Sequence, residues 1–104
     1  KVTFTDKPKI NPFFFPKNNK VDKKASVFCS ASSGLAPFTF EWLKNGHKIE
    51  YSDSLNVDVF KKYSALFIEP LSIEDTGNYT CIMSNGYGSD SFTAPLVVEC
   101  KKWY

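Results

Sequence analysis

Histidine and methionine each occur once in this sequence, and glycine only five times. The single histidine, His47, follows an Asn-Gly pair as a solvated loop residue, with no cysteine or carboxylate cluster beside it, so a zinc site is excluded. There is no glycine-rich phosphate loop and no nucleophile-elbow motif, and Asp53 and Asp58 lack the spacing of a calcium loop. Neither an enzyme nor a cofactor is therefore expected. No apolar run approaches the length of a membrane span, about 18 residues, so direct membrane insertion is not expected. No basic stretch leads into an apolar one at the start, so any signal peptide is expected to have been removed or to lie outside this sequence. Charge of one sign is missing too: 13 basic and 11 acidic residues leave a net +2. The basic residues are scattered, which speaks against nucleic acid or a lipid surface as partner. Internal repeats, low-complexity tracts and capped stretches of helical period are all lacking.

What is present is aromatic. Ten Phe, five Tyr and two Trp make up 16% of 104 residues. A chain of this length holds one core. That core can hide about half of these rings, by size alone, and the remainder should lie partly exposed, as contact surfaces do. Short segments of period-two alternation, broken by turn signals, predict an all-β sandwich or barrel. Residues 10–16 (INPFFFP) predict an edge strand, because proline cannot donate to a central ladder. Residues 17–23 read as a charged turn. Residues 24–31 alternate, with Ala25, Val27, Cys29 and Ala31 on one side and Lys24, Ser26, Phe28 and Ser30 on the other. Residues 38–44 form a strand ending at the hairpin signal Asn45-Gly46, and 47–50 return from it. Residues 55–60 place Leu55, Val57 and Val59 inward, and 63–69 place Leu66 and Ile68 inward. Residues 70–77 are a polar crossover. Strands at 78–84 and 89–99 flank a tight turn at Asn85-Gly86-Tyr87-Gly88. Residues 1–8 are expected to be a loose N-terminal extension, 9–99 the domain and 100–104 a linker stub to a following domain.

Four positions fix the architecture. Cys29 stands 13 positions before Trp42, Cys81 lies 52 after Cys29, and Tyr79 sits in Asp75-Thr76-Gly77-Asn78-Tyr79-Thr80-Cys81. This pattern resembles the immunoglobulin superfamily. The resemblance implies a β-sandwich with a Cys29–Cys81 disulfide, Trp42 and Leu66 in the core, and the Tyr79 hydroxyl returning to backbone near Asp75. Strand parity agrees, since both cysteines and Trp42 face inward between sheets about 10 Å apart. A buried reduced pair in a cytosolic domain is the alternative. The short connection between residues 44 and 55 leaves no room for the extra strands of a variable domain, so the pattern is that of the I-set.

A narrower resemblance rests on Pro12-Phe13-Phe14-Phe15-Pro16, Cys29-Ser30-Ala31-Ser32-Ser33-Gly34, the run from Pro37 to Gly46, Ser64-Ala65-Leu66-Phe67-Ile68 and Gly77-Asn78-Tyr79-Thr80-Cys81. Together these resemble an immunoglobulin domain of the Dscam family of arthropods, of the kind found as the seventh domain of insect Dscam or the first of the shortened Dscams of chelicerates. The resemblance implies homophilic adhesion. In that family many isoforms of a plasma-membrane receptor are made. Matching copies pair antiparallel, outside the cell, through the sheet of strands A (10–16), B (24–31), E (63–69) and D (55–60). The implied partners are a second copy and the adjacent domain of the parent chain. A heterophilic receptor module and a structural module of a muscle filament protein are the competing readings.

Outward parity assigns the contact surface to Phe28 on strand B, Ala65 and Phe67 on strand E, and Asn56, Asp58 and Phe60 on strand D. Lys24, Ser26, Ser30 and Glu69 frame it, and Phe14, opposite in parity to Phe13 and Phe15, is expected to join it. An apolar patch of this kind marks a contact site. A two-fold contact brings Lys24 of one copy toward Asp58 or Glu69 of the other. Glu41, Leu43, Thr80, Ile82 and Ser84 of the opposite sheet form a second candidate surface. Asn78-Tyr79-Thr80 is a glycosylation sequon, either occupied or left bare by crowding at the corner. Cys100 has no partner within the domain: it is a free thiol, a link to a neighbouring domain, or a bridge between chains.

Overall fold

The computed structural model describes residues 6–100. Ten strands occur among them: β1 (Lys9–Ile10), β2 (Asn19–Lys20), β3 (Ala25–Ser33), β4 (Thr39–Lys44), β5 (His47–Lys48), β6 (Leu55–Val59), β7 (Tyr63–Ile68), β8 (Gly77–Asn85), β9 (Gly88–Leu96) and β10 (Val98–Glu99). One sheet runs β1-β3-β7-β6 and the other β5-β4-β8-β9, with β2 and β10 paired in parallel beside them. Strands B, E and D are β3, β7 and β6. The two-sheet sandwich expected from the alternation is present, and its core lies between the facing sides.

The core follows from the period-two pattern. In β3, Ala25, Val27 and Cys29 are buried while Ser26 and Phe28 are exposed. In β8, Tyr79, Cys81 and Met83 are buried. Cys29 and Cys81 form the disulfide, with their Cα atoms 6.4 Å apart. Trp42 pairs in register with Cys81 and is buried beside the bridge. Its indole Nε1 donates to Ser64 Oγ at 2.9 Å, and Ser64 Oγ in turn donates to the Asp58 carbonyl at 2.9 Å. The indole N–H is thereby satisfied in the interior, where an unpaired donor costs about 1–3 kcal/mol. Leu66 is fully buried, as expected of it.

Residues 70–77, read as a polar crossover, contain one 3-10 turn (Ile73–Asp75) closed by a capping box: Ser72 Oγ caps the turn, and the Asp75 carboxylate accepts from Ser72 N. The turn holds the Asp75 carbonyl where the Tyr79 hydroxyl donates to it at 2.6 Å, the corner that the Asp-x-Gly-x-Tyr-x-Cys pattern implied. Burial, and then the Asp75 carboxylate, push the Tyr79 phenol well above its usual range. At Asn45-Gly46 both residues take positive φ, 50° and 82°, which is what a two-residue hairpin of this composition requires.

The predicted edge strand over 10–16 is not one strand. Lys9 and Ile10 pair with β3, and Asn11 N donates to the Ser30 carbonyl; the chain then crosses to the other side of the sandwich, where Asn19 and Lys20 pair with β10. The reason is in the residues. Pro12 and Pro16 have no N–H to give a ladder, and Phe13 and Phe15 plug the open side of the core. Phe13 packs on Trp42 and Phe92, at centroid distances of 5.8 and 5.0 Å, and Phe15 on Tyr79 at 5.4 Å. The charged turn expected over 17–23 therefore contains a strand. Val59, expected inward, is exposed at the end of β6, where the sheet no longer covers it.

Residues 1–5 and 101–104, assigned to the extension and the linker stub, lie outside the described residues. Residues 6–8, expected to be loose, are built into the domain. Leu35 N and Asn85 Nδ2 both donate to the Asp6 carbonyl, and Pro8 is buried. Gly34 lets this strap pass: its φ is +118°, and a Cβ there would meet the Lys7 carbonyl oxygen at 2.8 Å.

Candidate recognition face

The outer side of the β1-β3-β7-β6 sheet is a grid fixed by strand register. β3 aligns Ser26 with Phe67, Phe28 with Ala65 and Ser30 with Tyr63 across to β7. β7 aligns Phe67 with Asn56 and Ala65 with Asp58 across to β6. Beyond these, Phe60 N donates to the Tyr63 carbonyl and Glu69 N to the Ser54 carbonyl, extending the grid by one row at each end. Since side chains of one parity share a face, the rows read Lys24–Glu69–Ser54, Ser26–Phe67–Asn56, Phe28–Ala65–Asp58 and Ser30–Tyr63–Phe60.

Four rings form a continuous line across this grid. Phe67 meets Phe28 edge-on at 6.4 Å, Phe28 meets Tyr63 at 6.3 Å, and Tyr63 stacks on Phe60 at 4.5 Å. Phe28 remains 52% exposed, Phe60 47% and Tyr63 37%, while Phe67 is half-buried. Lys24, Ser26, Asn56, Asp58 and Glu69 are exposed around them, as expected. The grid thus brings together most of the residues that parity had assigned.

Two assignments are corrected. Ala65 is not a surface residue; only 1% of it is exposed. It sits on the outer parity of a central strand, but Phe28 and Asp58 stand beside it across the sheet and Tyr63 and Phe67 along the strand. Its methyl group is covered by these four longer side chains. Phe14 is exposed, but it does not join the face. The crossing of residues 11–16 carries it to the β9 side, where its ring meets Phe92 edge-on at 5.9 Å. Tyr63 was missed: its parity, shared with Ala65 and Phe67, was the available signal. Ser64 was also missed as the partner of Trp42, and alternation alone carries no sign that a buried hydroxyl is needed.

The outer side of the opposite sheet differs. Glu41 is exposed, and Leu43, Thr80, Ile82 and Ser84 are half-buried. Thr80 and Thr93 share a hydroxyl hydrogen bond of 2.7 Å across β8 and β9. Tyr51 lies near Glu41; partial burial first, and that carboxylate second, raise its phenol above the usual range. Asn78, the sequon asparagine, is exposed on this same parity. Cys100 is an exposed free thiol. Among the described residues no cluster of His, Cys, Asp and Glu could hold a metal ion, and no helix is long and apolar enough to cross a membrane.

Comparison with known proteins agrees with this architecture. The family model "Immunoglobulin I-set domain" matches residues 8–98. Cell adhesion molecule DSCAML1 of Gallus gallus is 34% identical over 98 residues, covering 94% of this chain and 5% of that protein. The chain thus spans about 5% of the length of the curated relatives it matches. Among solved structures, the Dscam1 Ig7 domain, isoform 5, superposes with a TM-score of 0.83 at 28% identity, covering 91% of this chain and 99% of that one. The I67–I69 fragment of titin superposes with a TM-score of 0.80 at 22% identity over 90% of this chain and 33% of that one, a likeness of fold alone. By the family match over nearly its whole length, and by these relatives, the chain belongs to the immunoglobulin I-set domain family and is a Dscam-like member of it.

Proposed function

We propose that this domain is a recognition module of a cell-surface adhesion receptor and that it binds a second copy of itself, antiparallel, through the outer side of the β1-β3-β7-β6 sheet. The observation that carries this reading is the line Phe67–Phe28–Tyr63–Phe60. These rings lie on the side of the sheet that the core does not use, and exposed contiguous aromatics favour a protein partner. The polar frame of Lys24, Ser26, Asn56, Asp58 and Glu69 supplies the rim such interfaces have. A contact of standard size would bury about 800 Å² of each copy.

The extracellular setting is supported by the Cys29–Cys81 bridge, since disulfides persist in oxidising compartments. The exposed sequon at Asn78 fits the same setting. A glycan there would stand on the polar outer side of β8 and leave the aromatic face clear. Relatives described as cell adhesion molecules support the class of activity.

Sedimentation equilibrium of the domain across a concentration range tests the proposal. Wild type should self-associate, and Phe28→Asp and Phe67→Asp should each shift it to monomer with an unchanged circular dichroism spectrum. A wild-type protein that stays monomeric throughout would favour a heterophilic partner; variants that associate like wild type would place the contact elsewhere.

A further inference from the structure

Resting on the extracellular setting, and independent of self-recognition, we infer that Asn78 carries an N-linked oligosaccharide whose first sugars cover the outer side of β4, β8 and β9. The sequence leaves Asn78-Tyr79-Thr80 either occupied or crowded out at the corner. The crowding lies on the other side of β8. Tyr79 points inward, its hydroxyl on the Asp75 carbonyl at 2.6 Å. Lys44 Nζ passes over the Tyr79 ring, 5.9 Å from its centroid, and donates to the Glu74 carbonyl. Asn78 has the opposite parity and is exposed. Its backbone is engaged by Asn45: Asn78 N donates to Asn45 Oδ1 at 2.9 Å, and Asn45 N donates to the Asn78 carbonyl at 2.8 Å. Its side-chain amide makes no hydrogen bond among the described residues. A sugar on that amide therefore displaces no contact of the fold. No other asparagine of the sequence stands in such a tripeptide.

The donor is a lipid-linked oligosaccharide of the secretory pathway. The Asn78 side-chain nitrogen bonds to the anomeric carbon of its first N-acetylglucosamine and gives up one proton. The bond from that carbon to the lipid pyrophosphate breaks, and the pyrophosphate leaves with the electron pair. This transfer precedes folding. In the finished domain β8 is a central strand paired on both sides, and Thr80 Oγ1 is held by Thr93 Oγ1 at 2.7 Å. Cys81 follows the tripeptide directly, so closing the bridge to Cys29 fixes this stretch in the sheet. Register then decides what the glycan overhangs. Pro95 stands beside Asn78, and Leu43 and Thr93 flank Thr80. Pro95 and Thr93 are exposed and Leu43 is half-buried. A bulky, hydrated chain rooted among them covers the Leu43 and Thr80 end of the surface that these two residues form with Glu41, Ile82 and Ser84, and withdraws it from protein contact. The β1-β3-β7-β6 sheet has no sequon. The two outer sides thus differ in kind: sugar stands on one and bare rings on the other.

Secretion of the domain from cultured eukaryotic cells, read by intact mass, tests the site. Wild type should be heavier than its chain by one oligosaccharide and should lose that mass on digestion with an N-glycanase. Asn78→Gln and Thr80→Ala should both appear at the bare mass, whereas Thr80→Ser should keep the sugar. Bare wild type with the Cys29–Cys81 bond closed overturns the site and leaves the extracellular setting standing. Bare wild type retained in the cells with both thiols free overturns both. A thiol probe tests the cover: Thr93→Cys in a Cys100→Ser background, treated with a bulky polyethylene glycol maleimide. Position 93 should react severalfold more slowly in the glycosylated domain than after the sugar is removed. Ser26→Cys in the same background, on the opposite sheet, should react equally in both forms. Equal rates at position 93, or the same slowing at both positions, overturn the cover.

Discussion

Both sides of β3 and β7 carry large apolar side chains, and they do so for different reasons. On the inner side Val27, Cys29, Leu66 and Ile68 are closed off by the second sheet, and even Ser64 is there to hold the Trp42 indole. On the outer side Phe28, Tyr63 and Phe67 touch one another and water. The inner pattern is what a sandwich needs in order to fold. Nothing in the fold calls for the outer one, and the outer side of the β5-β4-β8-β9 sheet sets half-buried Leu43 and Ile82 among threonine, serine and glutamate. Apolarity beyond the demands of folding is what the proposed recognition would use.

That contrast can be broken by experiment, since inner substitutions should cost stability and outer ones association. Replacing both Cys29 and Cys81 by alanine should cost the most. Removing a cross-link over 52 residues of sequence corresponds to about 4 kcal/mol in the chain-entropy model, read as a fall in the urea midpoint. Ser64→Ala comes next, at about 1–3 kcal/mol, because it strands the buried Trp42 N–H. Tyr79→Phe should cost about 1 kcal/mol through loss of the bond to the Asp75 carbonyl and should also change the pH profile. The Tyr79 phenol is raised in the folded protein by burial and by Asp75. Its contribution is therefore complete below its unfolded pKa of about 10 and is lost as pH rises through the higher folded value. Wild-type stability should fall more steeply than that of the Phe variant above about pH 10. Phe28→Asp, last in the series, should change monomer stability by no more than about 0.5 kcal/mol. A loss as large as that of Ser64→Ala would make the outer rings part of the fold and erase the distinction.

The inner side was legible in the sequence because its constraints are periodic. Cys29, Trp42, Tyr79 and Cys81 announce themselves by spacing, and parity then places Leu66 and Ile68. The outer side was legible only in part. Parity found Phe28, Phe67 and Asp58, but whether an outward residue is exposed depends on its cross-strand neighbours. The burial of Ala65 between Phe28 and Asp58 needs the register of three strands. Phe14 went astray because residues 11–16 change sheets, β2 escaped because a two-residue strand has no period to detect, and β10 was read as the end of the strand over 89–99. Ser64 shows a different limit: its hydroxyl has meaning only beside an indole 22 positions away.

Amide chemical shifts of the isotope-labelled domain, followed through serial dilution, test self-recognition most directly, because they report where one copy touches another. Concentration-dependent shifts should fall on β3, β6 and β7, largest at Phe28, Ala65 and Phe67, and leave β4, β8 and β9 unmoved. Shifts confined to β4, β8 and β9, or none up to millimolar protein, would contradict it.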